Sequence, residues 1–277
     1  MGMSQKTRNI KLICSDIDGT LVPDGTSEIN KEVFDVILAL KEKGIIFAAA
    51  SGRQYESIRN LFERIANDII IISENGNLVM CRGEVMARTE ILKEDVQDIK
   101  KRIDAIENCQ LLLSGVKTTY IRRADRELYR LMKEGYHYDI TLVDDFDEVD
   151  DTIIKMSLFQ KDGRAEEVAG EEFMDYWSVH PRISAVCAGK EWIDLFDKDG
   201  NKGNAVEQIQ KIMGIKVSET MVFGDNLNDI EMLHRAEYSY AVGNAREEVQ
   251  REANYIADTN VNDGVLKELK KLLAELD

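Results

Sequence analysis

From Ile10 onward the chain alternates short, continuous apolar runs with longer segments in which apolar residues recur every three or four positions. "IKLICS" reads as a buried strand. "NKEVFDVILALKEKG" reads as a helix whose inward stripe is Val33, Phe34, Ile37, Leu38 and Leu40, closed by Gly44. "IIFAAAS" supplies a second strand, "QYESIRNLFERI" a second helix and "DIIIISENG" a third strand. Strands that are apolar throughout, rather than at alternate positions, are covered on both faces, as parallel strands separated by helices are. The pattern predicts an α/β fold built on a doubly wound, parallel, Rossmann-like sheet.

The same rhythm returns late in the chain, with a helix at "NAVEQIQKIMG", a strand at "TMVFGD", a helix at "DIEMLHRA", a strand at "YSYAV" and a last helix from Val265 to Leu276. Between them the texture changes. Two helical segments, "KEDVQDIKKRIDAI" and "GRAEEVAGEEFM", sit among the strand-like pieces "CQLLLSG", "KTTYIR", "TIIKMSLFQ" and "RISAVCA". Grouped strands with helices around them predict an α+β domain with an antiparallel sheet. The expected organisation is a core of residues 1–85 and 190–277, interrupted by an inserted domain of residues 86–189.

With 277 residues, 44% of them hydrophobic, the chain can bury a substantial core. No apolar run reaches bilayer length, and "MGMSQKTRN" has no signal-like apolar stretch, so a cytoplasmic protein without membrane contact is expected. Lys6 stands where a myristoylation signal at Gly2 would require Ser or Thr. Cys14, Cys81, Cys109 and Cys187 lie far apart without paired spacing, which predicts reduced, mostly buried thiols rather than a zinc site or a disulfide framework. The net charge of −16 argues against a nucleic-acid partner, although an acidic body can still hold a small basic pocket. Whether the protein is a monomer or a homodimer is not written in the sequence.

An open parallel sheet binds ligands in the crevice beyond the carboxyl ends of its strands. The first strand ends in "DIDGT", with Asp16 and Asp18, and the second in "SGR", with Ser51, Gly52 and Arg53. "MVFGDNLND" contributes Asp225, Asn228 and Asp229, and "DGNKGNA" starts a helix with Lys202. Taken singly, "SGR", a lone lysine or an Asp/Asn/Gly cluster is most often a loop or a solvated surface. In this order, each after a strand or at a helix start, they form a constellation. Four carboxylates at one sheet end repel one another, and a hard divalent cation such as Mg²⁺, sharing its shell with a phosphate, resolves that repulsion. Ser51, Gly52 and Lys202 suit the phosphate itself, Asp16 suits a nucleophile, and Asp18 an acid/base that also offers its carbonyl to the metal. Gly19 and Thr20 allow the chain to turn sharply there.

Asp16-Ile17-Asp18-Gly19-Thr20, Ser51-Gly52-Arg53, Lys202 and Gly224-Asp225-Asn226-Leu227-Asn228-Asp229 resemble, in order, the four motifs of the haloacid dehalogenase superfamily. The insert after the second motif, with "SENG" at Ser73–Gly76 and "VGNA" at Val242–Ala245, is similar to its Cof-type branch of sugar-phosphate phosphatases, with a type IIB cap, which the resemblance implies hinges near Gly83 and Gly189. The resemblance implies Mg²⁺-dependent hydrolysis of a small phosphate monoester, a sugar phosphate or a cofactor phosphate, through an aspartyl phosphate. Asp16 would be the nucleophile and Asp18 the general acid/base. Ser51, Gly52, Lys202 and Asn228 would hold the phosphate. Asp16, the Asp18 carbonyl and Asp225 would bind the metal, with Asp229 in its water shell and Arg53 a candidate substrate contact. Ser51 stands where many members carry Thr, and Lys202 rather than Lys198 fits the helix start. A phosphotransferase or mutase that uses the same intermediate is the alternative, and a receiver-like phosphoaccepting module a more distant one. In the insert, Arg122, Arg123 and Arg126 either steer a phosphate ester or, as is commoner, balance nearby acids. Tyr120, Tyr136 and His137 are candidate ring contacts.

Overall fold

The computed structural model describes residues 9–23, 26, 28–135 and 138–276. The chain divides into two compact units, Met1–Ala87 with Asn201–Asp277, and Arg88–Gly200. In chain order the first comprises β1 (Leu12–Asp16), α1 (Lys31–Glu42), β2 (Ile46–Ala50), α2 (Tyr55–Leu61), β3 (Ile70–Ser73), β4 (Leu78–Cys81) and β5 (Glu84–Arg88). The insert follows, with α3 (Lys93–Asp104), β6 (Gln110–Gly115), β7 (Thr119–Arg122), α4 (Arg126–Arg130), β8 (Ile140–Val143), β9 (Ile153–Phe159), α5 (Ala165–Ser178), β10 (Ile183–Cys187) and β11 (Trp192–Asp197). The first unit is completed by α6 (Lys202–Met213), β12 (Thr220–Gly224), α7 (Ile230–Leu233), β13 (Tyr238–Ala241), α8 (Glu247–Glu252), β14 (Tyr255–Ile256) and α9 (Gly264–Leu276).

The core sheet runs in the order β14-β13-β12-β1-β2-β3-β4-β5. Its strands from β14 to β3 are mutually parallel. β4 turns back antiparallel on β3, so the sheet is mixed at this end rather than parallel throughout as the apolar runs suggested. From the central β1 the chain winds outward through β2 and β3 and, later, outward the other way through β12, β13 and β14. The winding reverses between β1 and β12, which is where a crevice forms beyond the strand ends. β1 is fully buried along Leu12, Ile13 and Cys14, because helices cover both faces of the sheet. The α1 stripe Val33, Phe34, Ile37 and Leu40 is buried, and Asn30 caps the helix by accepting from the Glu32 N–H at 3.1 Å.

The inserted unit is α+β, with strand order β10-β11-β9-β6-β7-β8. Its pairings are antiparallel except for β7 with β8, which run parallel because α4 carries the chain back between them. Ile99 and Ile103 of α3 and Phe173 and Trp177 of α5 pack against Leu111, Leu113, Met156 and Leu158. Residues 190–200, expected in the core, belong to this unit, since β11 pairs on one side with β9 and on the other with β10. The hinge expectation is likewise displaced. Gly83 makes the turn between β4 and β5 and Gly189 the turn between β10 and β11, whereas the chain passes between units at 87/88 and 200/201.

Among the described residues no helix is long and apolar enough to cross a membrane. The four cysteines are free; Cys14 is buried, Cys81 and Cys109 are half-buried, and Cys187 is exposed rather than covered. Tyr136 and His137 lie outside the described residues. Replacing Ile13, fully buried at the sheet centre, with Ala should cost about 2–5 kcal/mol in urea unfolding. A loss well below that range would show that β1 is not the packed centre of the fold.

Candidate active site

Four polar segments emerge at the carboxyl ends of the central strands. β1 ends on Asp16, which is only 5% exposed, and the chain then folds into a tight loop in which the amides of Leu21 and Val22 both donate to the Ile17 carbonyl at 2.9 Å. Gly19 has φ +86°, and a methyl group there would lie 2.4 Å from an Asp225 carboxylate oxygen, so glycine is required on both counts. Thr20 donates to Asp225 Oδ1 at 2.6 Å, joining the β1 loop to the β12 loop. The Gly19 carbonyl accepts from Asn244 Nδ2 and Asn260 Nδ2, each at 2.8 Å. "VGNA" thus pins the loop that carries the paired aspartates.

Lys202 is the first residue of α6, behind Asn201, whose side chain caps the helix by accepting from the Asn204 N–H at 2.8 Å. Its side chain is 1% exposed, and Nζ donates to Asp16 Oδ1 at 2.5 Å and to Asp229 Oδ1 at 2.7 Å. Asp229 is fully buried, and its other oxygen accepts from the backbone amides of Asp225 and Asn226, each at 3.0 Å. A carboxylate that meets two amides and an ammonium is fixed in place. One carboxylate oxygen from each of Asp16, Asp225 and Asp229 lies within 4.8 Å of the others. Hard oxygen donors so close together match a divalent cation. The Asp18 carboxylate is not one of the three.

The electrostatics follow from burial. Desolvation pushes the Asp16 carboxyl well above the usual range; Lys202 opposes this, and the Asp229 and Asp225 carboxylates add to the rise. Burial works against the Lys202 ammonium as well, but Asp16 and Asp229 outweigh it and hold its pKa above that of an ordinary lysine. One lysine among three carboxylates leaves a local excess of negative charge, which a bound cation relieves.

Asp18 faces the second segment. Arg53 grips it with Nε at 3.0 Å and Nη2 at 2.5 Å, and Ser51 Oγ donates to it at 3.2 Å. Ser51 Oγ also accepts from the Arg53 N–H at 3.1 Å. Arg53 therefore contacts the candidate acid/base directly, a pairing that the spacing of the motifs does not reveal. Gly52 lies against the Asn75 side chain, and exposed Asn228 donates through Nδ2 to Asn75 Oδ1 at 2.9 Å.

Sequence reading passed over the structural weight of "SENG". Glu74, Asn75 and Gly76 have φ of +51°, +56° and +102°, three successive residues in the left-handed region. Such residues cost on the order of 1–3 kcal/mol each when they are not glycine. A methyl group on Gly76 would lie 2.3 Å from the Asn201 carbonyl, so this loop packs directly on the start of α6. The available signal was a polar cluster with Asn-Gly directly after a buried strand. Asn260 had no such signal.

Two of the insert arginines, Arg122 and Arg123, behave as charge balancers. Arg122 makes two 2.7 Å bonds to Asp104, and Arg123 pairs with Asp144 at 3.2 Å. The Tyr120 hydroxyl donates to Asp151 at 3.1 Å.

Residues 13–269 match the family of haloacid dehalogenase-like hydrolases. The chain is 31% identical over 269 residues to the 5-amino-6-(5-phospho-D-ribitylamino)uracil phosphatase YbjI of Escherichia coli, covering 96% of this chain and 97% of that protein. A crystal structure from Eubacterium rectale superposes with a TM-score of 0.87 at 34% identity, over 95% of this chain and 99% of the other. The HAD subclass IIB sugar phosphatase BT4131 does so with a TM-score of 0.74 at 25% identity, over 94% and 98%. Fold, carboxylate triad and similarity across nearly the whole chain agree, and the protein belongs to the haloacid dehalogenase-like hydrolases as a phosphatase of that family.

Proposed function

We propose that the protein hydrolyses a small sugar- or polyol-phosphate monoester with Mg²⁺, through an aspartyl phosphate on Asp16. The observation that carries this reading is the triad of Asp16, Asp225 and Asp229, two of whose members, Asp16 and Asp229, hold the Lys202 ammonium. Asp16 and Asp225 would bind the metal together with the Asp18 carbonyl, and Asp229 would orient its water shell. When bound, the metal neutralises the carboxylates and draws charge from a phosphoryl oxygen.

The chain's own residues then divide the work. A carboxylate oxygen of Asp16 attacks phosphorus, and the bond to the ester oxygen breaks. Asp18 donates its proton to that departing oxygen and afterwards takes one from the water that cleaves the acyl phosphate, releasing inorganic phosphate and restoring Asp16. The proton is returned to Asp18 at each turnover. Lys202, Ser51, the Gly52 amide and Asn228 counter the charge on the phosphoryl group. Arg53 holds Asp18 and would meet substrate when that ion pair opens.

Residues 88–200, read as a cap, would select the leaving group and limit access of water to the acyl phosphate. A ribityl phosphate ester is the first substrate to try, since the relative from Escherichia coli is named for one.

Asp16→Asn should leave a folded protein that releases no phosphate from p-nitrophenyl phosphate, and retained turnover would remove Asp16 as nucleophile. Chelation by EDTA should abolish wild-type turnover and added Mg²⁺ restore it; activity that survives chelation would argue against a metal. Asp18→Asn should slow turnover by about 10²- to 10⁴-fold. Lys202→Met should destabilise the fold by about 3–5 kcal/mol in denaturant unfolding, because it leaves buried carboxylates unpaired. A neutral result there would show that the Lys202 ion pairs with Asp16 and Asp229 do not hold the fold together. A panel of sugar, polyol and nucleotide phosphates, read as inorganic phosphate, identifies the leaving group and separates a hydrolase from a mutase, which releases little.

A further inference from the structure

The loop after β3 carries no group that the proposed reaction uses, yet it touches three of the segments that do. The Asn75 N–H donates to the Ser51 carbonyl and the Glu74 N–H to the Arg53 carbonyl, each at 3.0 Å. Gly76 packs on Asn201 and the Lys202 amide. The Asn75 side chain reaches across 153 positions to accept from Asn228 Nδ2 at 2.9 Å, and it lies against Gly52. Asn tolerates the left-handed backbone better than other non-glycine residues, which accounts for its place here but not for its side-chain bond.

Asn228 is exposed, and an exposed asparagine side chain rotates freely unless something holds it. A side-chain amide nitrogen has two N–H donors. With one committed to Asn75, the direction of the other is fixed. We propose that Asn75 is a positioning residue of the phosphate site, holding the Asn228 amide so that its second N–H is aimed at a phosphoryl oxygen. The inference rests on the phosphatase reading above.

The test is a double-mutant cycle in the full-length, Mg²⁺-loaded protein, using p-nitrophenyl phosphate as substrate and inorganic phosphate as competitive inhibitor. Asn75→Gly removes the amide while keeping the left-handed backbone accessible. It should raise KM and the phosphate inhibition constant about tenfold with a smaller change in kcat, within the range that misplacement of a binding group produces. Asn228→Ala should do the same, and the double variant should be no worse than Asn228→Ala alone, because one residue acts through the other. Constants within twofold of wild type for Asn75→Gly, or losses that multiply in the double variant, would overturn the proposal.

Should Asn75→Gly fail to fold, Asn75→Asp also accepts this backbone and keeps an oxygen for Asn228. In that background Asn228→Ala should still raise the phosphate inhibition constant about tenfold, and no further loss would reject the pairing. Wild-type turnover that Asp16→Asn abolishes establishes the phosphatase reading separately. With that control in hand, a null cycle rejects the Asn75 assignment alone, whereas an inert wild type rejects both.

Discussion

The structure of this protein is organised around a buried excess of negative charge. Three carboxylate oxygens within 4.8 Å of one another would, if all ionised, repel by roughly 3.5 kcal/mol or more per pair at an effective dielectric constant of about 20. Lys202, 1% exposed, is the fixed countercharge. Its position is determined by the start of α6, by the Asn201 cap and by the Gly76 backbone pressed against that start. The strain in the "SENG" loop is thus coupled to the electrostatics of the site: relaxing the loop would loosen the helix start that delivers the ammonium.

The same economy of contacts governs the loops around the triad. Asp229 spends both oxygens on fixed partners, Lys202 on one side and the amides of residues 225 and 226 on the other. Thr20 ties the β1 loop to Asp225, and Asn244 and Asn260 hold the Gly19 carbonyl. Thr20, Asp229, Asn244 and Asn260 need not touch phosphate. They keep the groups that would do so from relaxing away from one another, which is how a site that is unfavourable in isolation persists on a stable sheet.

The inserted unit solves a different problem. Its own core of Ile99, Ile103, Met156, Phe173 and Trp177 is apolar and continuous, and its charges are matched locally. Arg182 grips Asp95 at 2.7 and 2.8 Å, and Lys100 bridges Asp145 and Asp147 at 2.8 and 2.9 Å. Of the arginines that looked available for a phosphate ester in the sequence, Arg122 and Arg123 are engaged in the same way, with Asp104 and Asp144.

Hydrophobic patterning by itself determined the α/β class, the position of the insert and which residues stand at strand ends, because burial on two faces leaves continuous apolar strands and any sheet of this kind aims its loops in one direction. Asp16, Ser51, Lys202 and Asp225 were legible for that reason. The antiparallel return of β4, the parallel pairing of β7 with β8 and the membership of β11 in the insert were not, since strand partners are chosen by contacts distant in sequence. Nor could sequence show that Arg53 faces Asp18, that Asn75 meets Asn228 or that Gly76 supports Lys202. Each of these depends on segments separated by 35 to 153 positions being brought within hydrogen-bonding or van der Waals distance, and only the tertiary fold decides that.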